Sequence, residues 1–88
     1  MPKVLYYSKG SIVFFEGDKD DRIFILQSGE ITLKQKSLET GALVDEKLTA
    51  GEFFGVKSGL ARMPRMETAI ATTEAQAVWM TPTEFETI

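Results

Sequence analysis

Short apolar runs rich in β-branched and aromatic residues, separated by turn-forming residues, make up most of this chain. Residues 4–7 and 12–15 predict two strands joined by a turn at Ser8-Lys9-Gly10-Ser11, after which Gly17-Asp18 breaks the pattern. Ile23-Phe24-Ile25-Leu26 is a continuous apolar run between turn residues, as expected of a strand buried on both faces. Ser28-Gly29 reads as a tight hairpin connection, with Ile31 and Leu33 inward beyond it and Thr32 and Lys34 outward. Residues 37–42 read as an exposed hairpin tip, and 43–48 as a returning strand with Asp45 and Lys47 on its wetter side. Residues 67–71 and 75–80 supply two more strands, giving about seven at fairly even spacing. The fold expected is mainly β: an antiparallel, jelly-roll-like β-roll, or double-stranded β-helix.

The end of the chain changes character. Thr81-Pro82-Thr83-Glu84 places a capping threonine, a proline at the first helical position and a glutamate able to close a capping box. A helix is expected to start there, with Phe85 and Ile88 on one face. So short a helix cannot hold itself, so residues 1–88 are expected to form one domain whose C-terminal helices continue beyond this sequence.

Composition narrows the chemistry. The 88 residues are 43% hydrophobic and 26% charged, as in ordinary globular proteins, and no signal peptide or membrane-spanning run is visible. There is neither cysteine nor histidine. That removes the usual zinc sites, the Ser-His-Asp triad and imidazole acid–base chemistry, so no enzymatic activity, cofactor or metal is expected. A cytoplasmic location fits the lack of disulfides. The net charge of −3 argues against nucleic-acid contact from this segment, and nothing suggests membrane contact. Asp18, Asp20 and Asp21 read as a solvated turn, since the glycine and glutamate spacing of a calcium loop is missing. The phenylalanines Phe14, Phe15, Phe24, Phe53 and Phe54 and Trp79 read as packing residues rather than a nucleobase platform.

The stretch Gly51-Glu52-Phe53-Phe54-Gly55-Val56-Lys57-Ser58-Gly59 is the chemically suggestive part. A glycine turn leading into a short helix at 57–62, weakened by Gly59, can direct backbone N–H groups at an anion, and Arg65 after Pro64 can offer a planar fork to two phosphate oxygens. The alternative is a tight turn carrying solvated charges at Lys57, Arg62 and Arg65.

Lys9-Gly10-Ser11-Ile12-Val13-Phe14, Glu16-Gly17-Asp18, Phe24-Ile25-Leu26, Ser28-Gly29-Glu30-Ile31, Gly51-Glu52-Phe53-Phe54-Gly55, Pro64-Arg65 and Thr68-Ala69 stand in the order and spacing that resemble the cyclic nucleotide-binding domain of catabolite activators and cAMP-dependent kinase regulatory subunits. The resemblance implies a sensor module that couples a cyclic nucleotide, cAMP or cGMP, or another small anion, to an output domain or protein partner outside the chain; a homodimer is also compatible with it. The phosphate cassette would comprise Gly55, Val56, Lys57, Ser58, Arg65 and Met66, with Arg65 on the phosphate and backbone N–H groups from Ser58 and Met66. Two positions depart from the family pattern. Val56 stands where the family has a ribose-binding glutamate, and Lys57 where an apolar residue is usual. Glu52 and Glu67 are the nearby candidates to replace that carboxylate, Glu67 being also a candidate partner for Arg65. The alternative function is a degenerate domain that binds no cyclic mononucleotide and serves a structural or dimerising role.

Overall fold

The structure, a computed structural model, describes residues 3–88. Strands β1 (Val4–Tyr7), β2 (Ile12–Phe14), β3 (Ile23–Ser28), β4 (Ile31–Lys36), β5 (Leu43–Leu48) and β6 (Phe53–Phe54) precede helix α1 (Val56–Ala61), followed by β7 (Thr68–Ala71), β8 (Ala75–Met80) and helix α2 (Pro82–Glu86). Two four-stranded antiparallel sheets form, in the orders β1-β8-β3-β6 and β2-β7-β4-β5. This is the expected jelly-roll-like β-roll. Among the described residues no helix is long and apolar enough to cross a membrane.

The core lies between the sheets. Phe24 stacks on Phe54 with ring centroids 4.9 Å apart, and Phe14 closes the cluster at 5.9 Å from Phe24. Leu26 and Ile31 are fully buried beside them, and Ile23 is fully buried under α1, each such side chain contributing about 1.5–3 kcal/mol. Ala69, Ala71, Ala75 and Ala77 face the same interior, where small side chains leave room for the large rings.

Several local expectations are corrected. The turns at 8–11 and 28–29 do not close hairpins, because β1 and β2 lie in different sheets, as do β3 and β4. Gly29 instead turns a corner: at φ 82° it passes so close to the β7–β8 connection that a Cβ would lie 2.1 Å from the Glu74 carbonyl oxygen. The hairpin expected with its tip at 37–42 does form, between β4 and β5, with Ile31 opposite Leu48 and Lys36 opposite Leu43. Thr32 is not exposed; it is buried, its hydroxyl 3.2 Å from that of Thr72. Of the phenylalanines read as packing residues, Phe15 is 56% exposed, and Phe53, 39% exposed, packs on Phe85 of α2 rather than in the core. An eighth strand, β6, was hidden in the phenylalanine pair before the glycine turn.

The end of the chain forms as its sequence predicts. The Thr81 hydroxyl accepts from the Glu84 N–H, and the Glu84 carboxylate accepts from the Thr81 N–H at 2.9 Å. Phe85 meets Phe53 edge-on at 5.4 Å, so α2 rests on the strand that leads into α1. Ile88 lies outside the helix and is exposed.

Candidate functional site

The connection from β6 to β7 is built around Arg65. Gly55 takes a left-handed conformation, φ 74° and ψ 9°, and starts α1 one residue earlier than the sequence suggests. A Cβ at Gly55 would stand 2.6 Å from Arg65 Nη1, so glycine is required here both by backbone conformation and by the approach of the guanidinium. Gly59 is buried, and a Cβ there would lie 2.8 Å from the Asp21 carbonyl oxygen and from Ile23 Cγ1. What reads in sequence as a weak helix position is where α1 sits directly on β3. Arg62 ends the helix in a left-handed conformation, its N–H directed at the Gly59 and Ser58 carbonyl oxygens.

Backbone bonds fix Arg65 against the β2–β3 loop. Its N–H donates to the Asp18 carbonyl oxygen at 2.9 Å, and its own carbonyl accepts from the Gly17 N–H at 2.8 Å. The side chain then runs inward and is 2% exposed. Nη1 donates to the Gly55 carbonyl oxygen at 3.1 Å and to Ser58 Oγ at 2.8 Å; Nη2 donates to the Arg22 carbonyl oxygen at 2.5 Å and lies 3.3 Å from Asp20 Oδ2. The guanidinium covers the Phe14 ring at 4.1 Å. Nε is buried and has no hydrogen-bond partner.

Asp20 joins two arginines. It accepts from Arg22 Nε at 3.0 Å and Arg22 Nη2 at 3.1 Å, besides facing Arg65. Burial raises its pKa, but hydrogen bonds from Arg22 and the charges of both arginines outweigh this and hold its carboxyl below the ordinary value. Asp20 is thus no solvated turn residue, correcting the reading of the acidic run. The sequence carried one local sign of this: Arg22 opens an apolar strand two residues after Asp20, where an ionised partner is needed.

The other anticipated residues divide. Gly55 and Ser58 converge on Arg65, though Ser58 does so through its hydroxyl. Val56 is half-buried, while Lys57 and Met66 are exposed. Glu67 does not pair with Arg65, whose carboxylate partner is Asp20. Glu52 is engaged elsewhere, accepting from the Thr49 N–H at 2.6 Å. Beside the cassette, Lys19, Asp20, Asp21, Arg62, Met63 and Pro64 line a recess of about 510 Å³.

The arrangement supplies a buried cation, a glycine turn and one unused N–H donor, features that suit an anion. A sequence profile described as the cyclic nucleotide-binding domain matches residues 4–88. The chain is 28% identical over 81 residues to the cAMP-dependent protein kinase regulatory subunit of Eremothecium gossypii, covering 92% of this chain and 17% of that protein. The fold is similar to the Thermus thermophilus catabolite activator protein, with a TM-score of 0.82 and 22% identity over 98% of this chain and 40% of that one. It is also similar to the regulatory domain of Toxoplasma gondii PKA co-crystallised with cAMP, with a TM-score of 0.84 and 17% identity over 98% of this chain and 33% of that one. The chain therefore spans less than half the length of each of these relatives.

Proposed function

The chain belongs to the cyclic nucleotide-binding domain family, and from that premise we propose that it is a regulatory sensor module which takes a small phosphate-bearing ligand of the cAMP or cGMP type on Arg65. The observation that carries this reading is the buried Arg65 guanidinium with an unpartnered Nε at the glycine turn. A buried donor without an acceptor costs about 1–3 kcal/mol, and an anionic oxygen there removes the cost. The guanidinium is already held by Gly55, Ser58, Arg22 and Asp20, so an anion gains full access only when the turn moves or an internal acceptor is displaced. That requirement couples occupancy to conformation. The turn continues into β6, whose Phe53 carries Phe85 of α2, providing a path from the cassette to whatever α2 contacts. The role is regulatory rather than catalytic.

A second reading, a degenerate domain with a structural role, is favoured by two observations. Val56 cannot accept a hydrogen bond from a ribose hydroxyl, and Asp20 already neutralises Arg65. Losing a hydrogen bond to a charged group costs about 1.5–3 kcal/mol, or roughly ten- to a hundredfold in affinity, which weakens binding without abolishing it. Calorimetric titration with cAMP and cGMP separates the readings: binding that is lost in Arg65→Lys supports the sensor, and no heat with either nucleotide supports the structural module.

A further inference from the structure

The inward face of the second sheet becomes polar and uncovered at one end. Leu33 of β4 pairs with Glu46 of β5 on one side and with Ala69 of β7 on the other, so the three share a face. Leu33 and Ala69 are 7% and 0% exposed, which makes that face the interior one, yet Glu46 is exposed at its edge. In the next inward row Gln35 stands opposite Val44, itself 43% exposed. β7 begins at Thr68, opposite Lys34, so Glu67 immediately precedes the strand at this end of the sheet. The interior face is therefore uncovered at this end, with Glu46 on it and Glu67 just ahead of β7.

Glu67 is half-buried, and none of the ion pairs among the described residues includes it. Burial, and then repulsion from Glu46, raise its pKa, while the charges of Arg65 and Lys57 lower it. A half-buried carboxylate with no ion-pair partner is unfavourable unless a donor reaches it. Glu67 follows Arg65 by two residues, through the bend at 66–67 that leads into β7, so their Cα atoms lie at most about 7 Å apart, within the span of one nucleotide. The unpartnered Arg65 Nε independently marks where that nucleotide's anionic end belongs.

We propose that Glu67 is the specificity-determining residue for a nucleotide held on Arg65 and selects one whose ring edge presents two adjacent N–H donors, guanine-type over adenine-type. This rests on the reading of Arg65 as the phosphate partner. A carboxylate only accepts, so it takes both donors of a guanine edge in a planar, two-bond contact. The adenine edge offers one donor beside a ring nitrogen lone pair, which faces the second carboxylate oxygen repulsively.

The test is calorimetric titration of the chain with cGMP and cAMP, with Glu67→Gln and Arg65→Lys variants beside it. The parent is expected to bind cGMP about tenfold or more tighter than cAMP, the range a lost polar contact gives. Glu67→Gln, whose amide matches the donor and acceptor of adenine, is expected to erase or reverse that preference, whereas Arg65→Lys weakens both ligands. Equal affinities in the parent, a preference for cAMP, or a ratio unchanged in Glu67→Gln overturns the role of Glu67 while leaving Arg65 as the anion partner, provided Arg65→Lys still weakens binding. Absence of binding by either nucleotide overturns both.

Discussion

Asp20 Oδ2 lies 3.3 Å from Arg65 Nη2, joining the β2–β3 loop to the residue that follows the cassette helix. Both side chains are largely removed from water, 17% and 1% exposed, so each depends on the other. Breaking such a pair from one side leaves an uncompensated charge. Asp20→Asn keeps the shape and removes the charge. It is expected to lower stability by about 1–3 kcal/mol in urea denaturation. The same variant frees Arg65 for an external anion, so saturating cyclic nucleotide should raise its midpoint more than that of the parent; equal shifts would show that Asp20 and ligand do not compete.

Gly59→Ala distinguishes intrinsic helix propensity from packing. Propensity alone favours alanine by about 1 kcal/mol within a helix. The added Cβ would meet the Asp21 carbonyl oxygen and Ile23 Cγ1 at 2.8 Å, and neither can retreat, since one is backbone and the other belongs to a fully buried side chain. The variant should be destabilised by about 1–3 kcal/mol. A variant as stable as the parent would mean that α1 does not rest on β3 as closely as described.

The junction between chain ends is acid-sensitive. Glu84 accepts from Lys3, and this bond, with the Thr81 N–H, holds its carboxyl at about 2 against an ordinary 4.5. A carboxylate with a depressed folded-state pKa stabilises above its unfolded value and loses that contribution as pH falls through its folded value. The α2 junction should therefore loosen on acidification from about 4.5 towards 2. Lys3 also lies 4.5 Å from the centre of the Trp79 ring, so tryptophan fluorescence reports the change. In Lys3→Ala the Glu84 titration, followed by NMR, should move up towards the ordinary value. An unchanged titration would assign the shift to the helix cap alone.

How much of this was legible in the sequence depends on the range of each interaction. Strand alternation, the Thr81 capping box and the Gly55 turn are local, and residues 12–14, 31–36, 75–80 and 82–86 form as their own patterns direct. Sheet membership is not local. Ser28-Gly29 has the composition of a hairpin, and only the close approach of Glu74 to Gly29 reveals a corner between sheets. The pairing of Asp20 with Arg65 was hidden for the same reason: an acidic run in a loop reads as solvated until the fold brings a distant arginine beneath it. Glu67 was a candidate partner for that arginine, but Asp20 takes that place, and Glu67, just ahead of β7, enters no ion pair among the described residues.

Val56→Glu restores the carboxylate that the family pattern carries at this position. Glutamate there is expected to tighten cyclic nucleotide binding by roughly ten- to a hundredfold, read by calorimetry. No gain for either nucleotide would show that the ribose does not lie against residue 56.

The central claim is that an anion binds on Arg65, and the Arg65 Nε–H resonance followed by ¹⁵N NMR during titration with cGMP and cAMP tests it most directly. This N–H is buried and has no protein acceptor. On binding it should shift strongly and become protected from exchange as a phosphate oxygen accepts from it. Saturable binding that leaves the Nε–H resonance where it began would contradict the assignment of Arg65 as the anion partner.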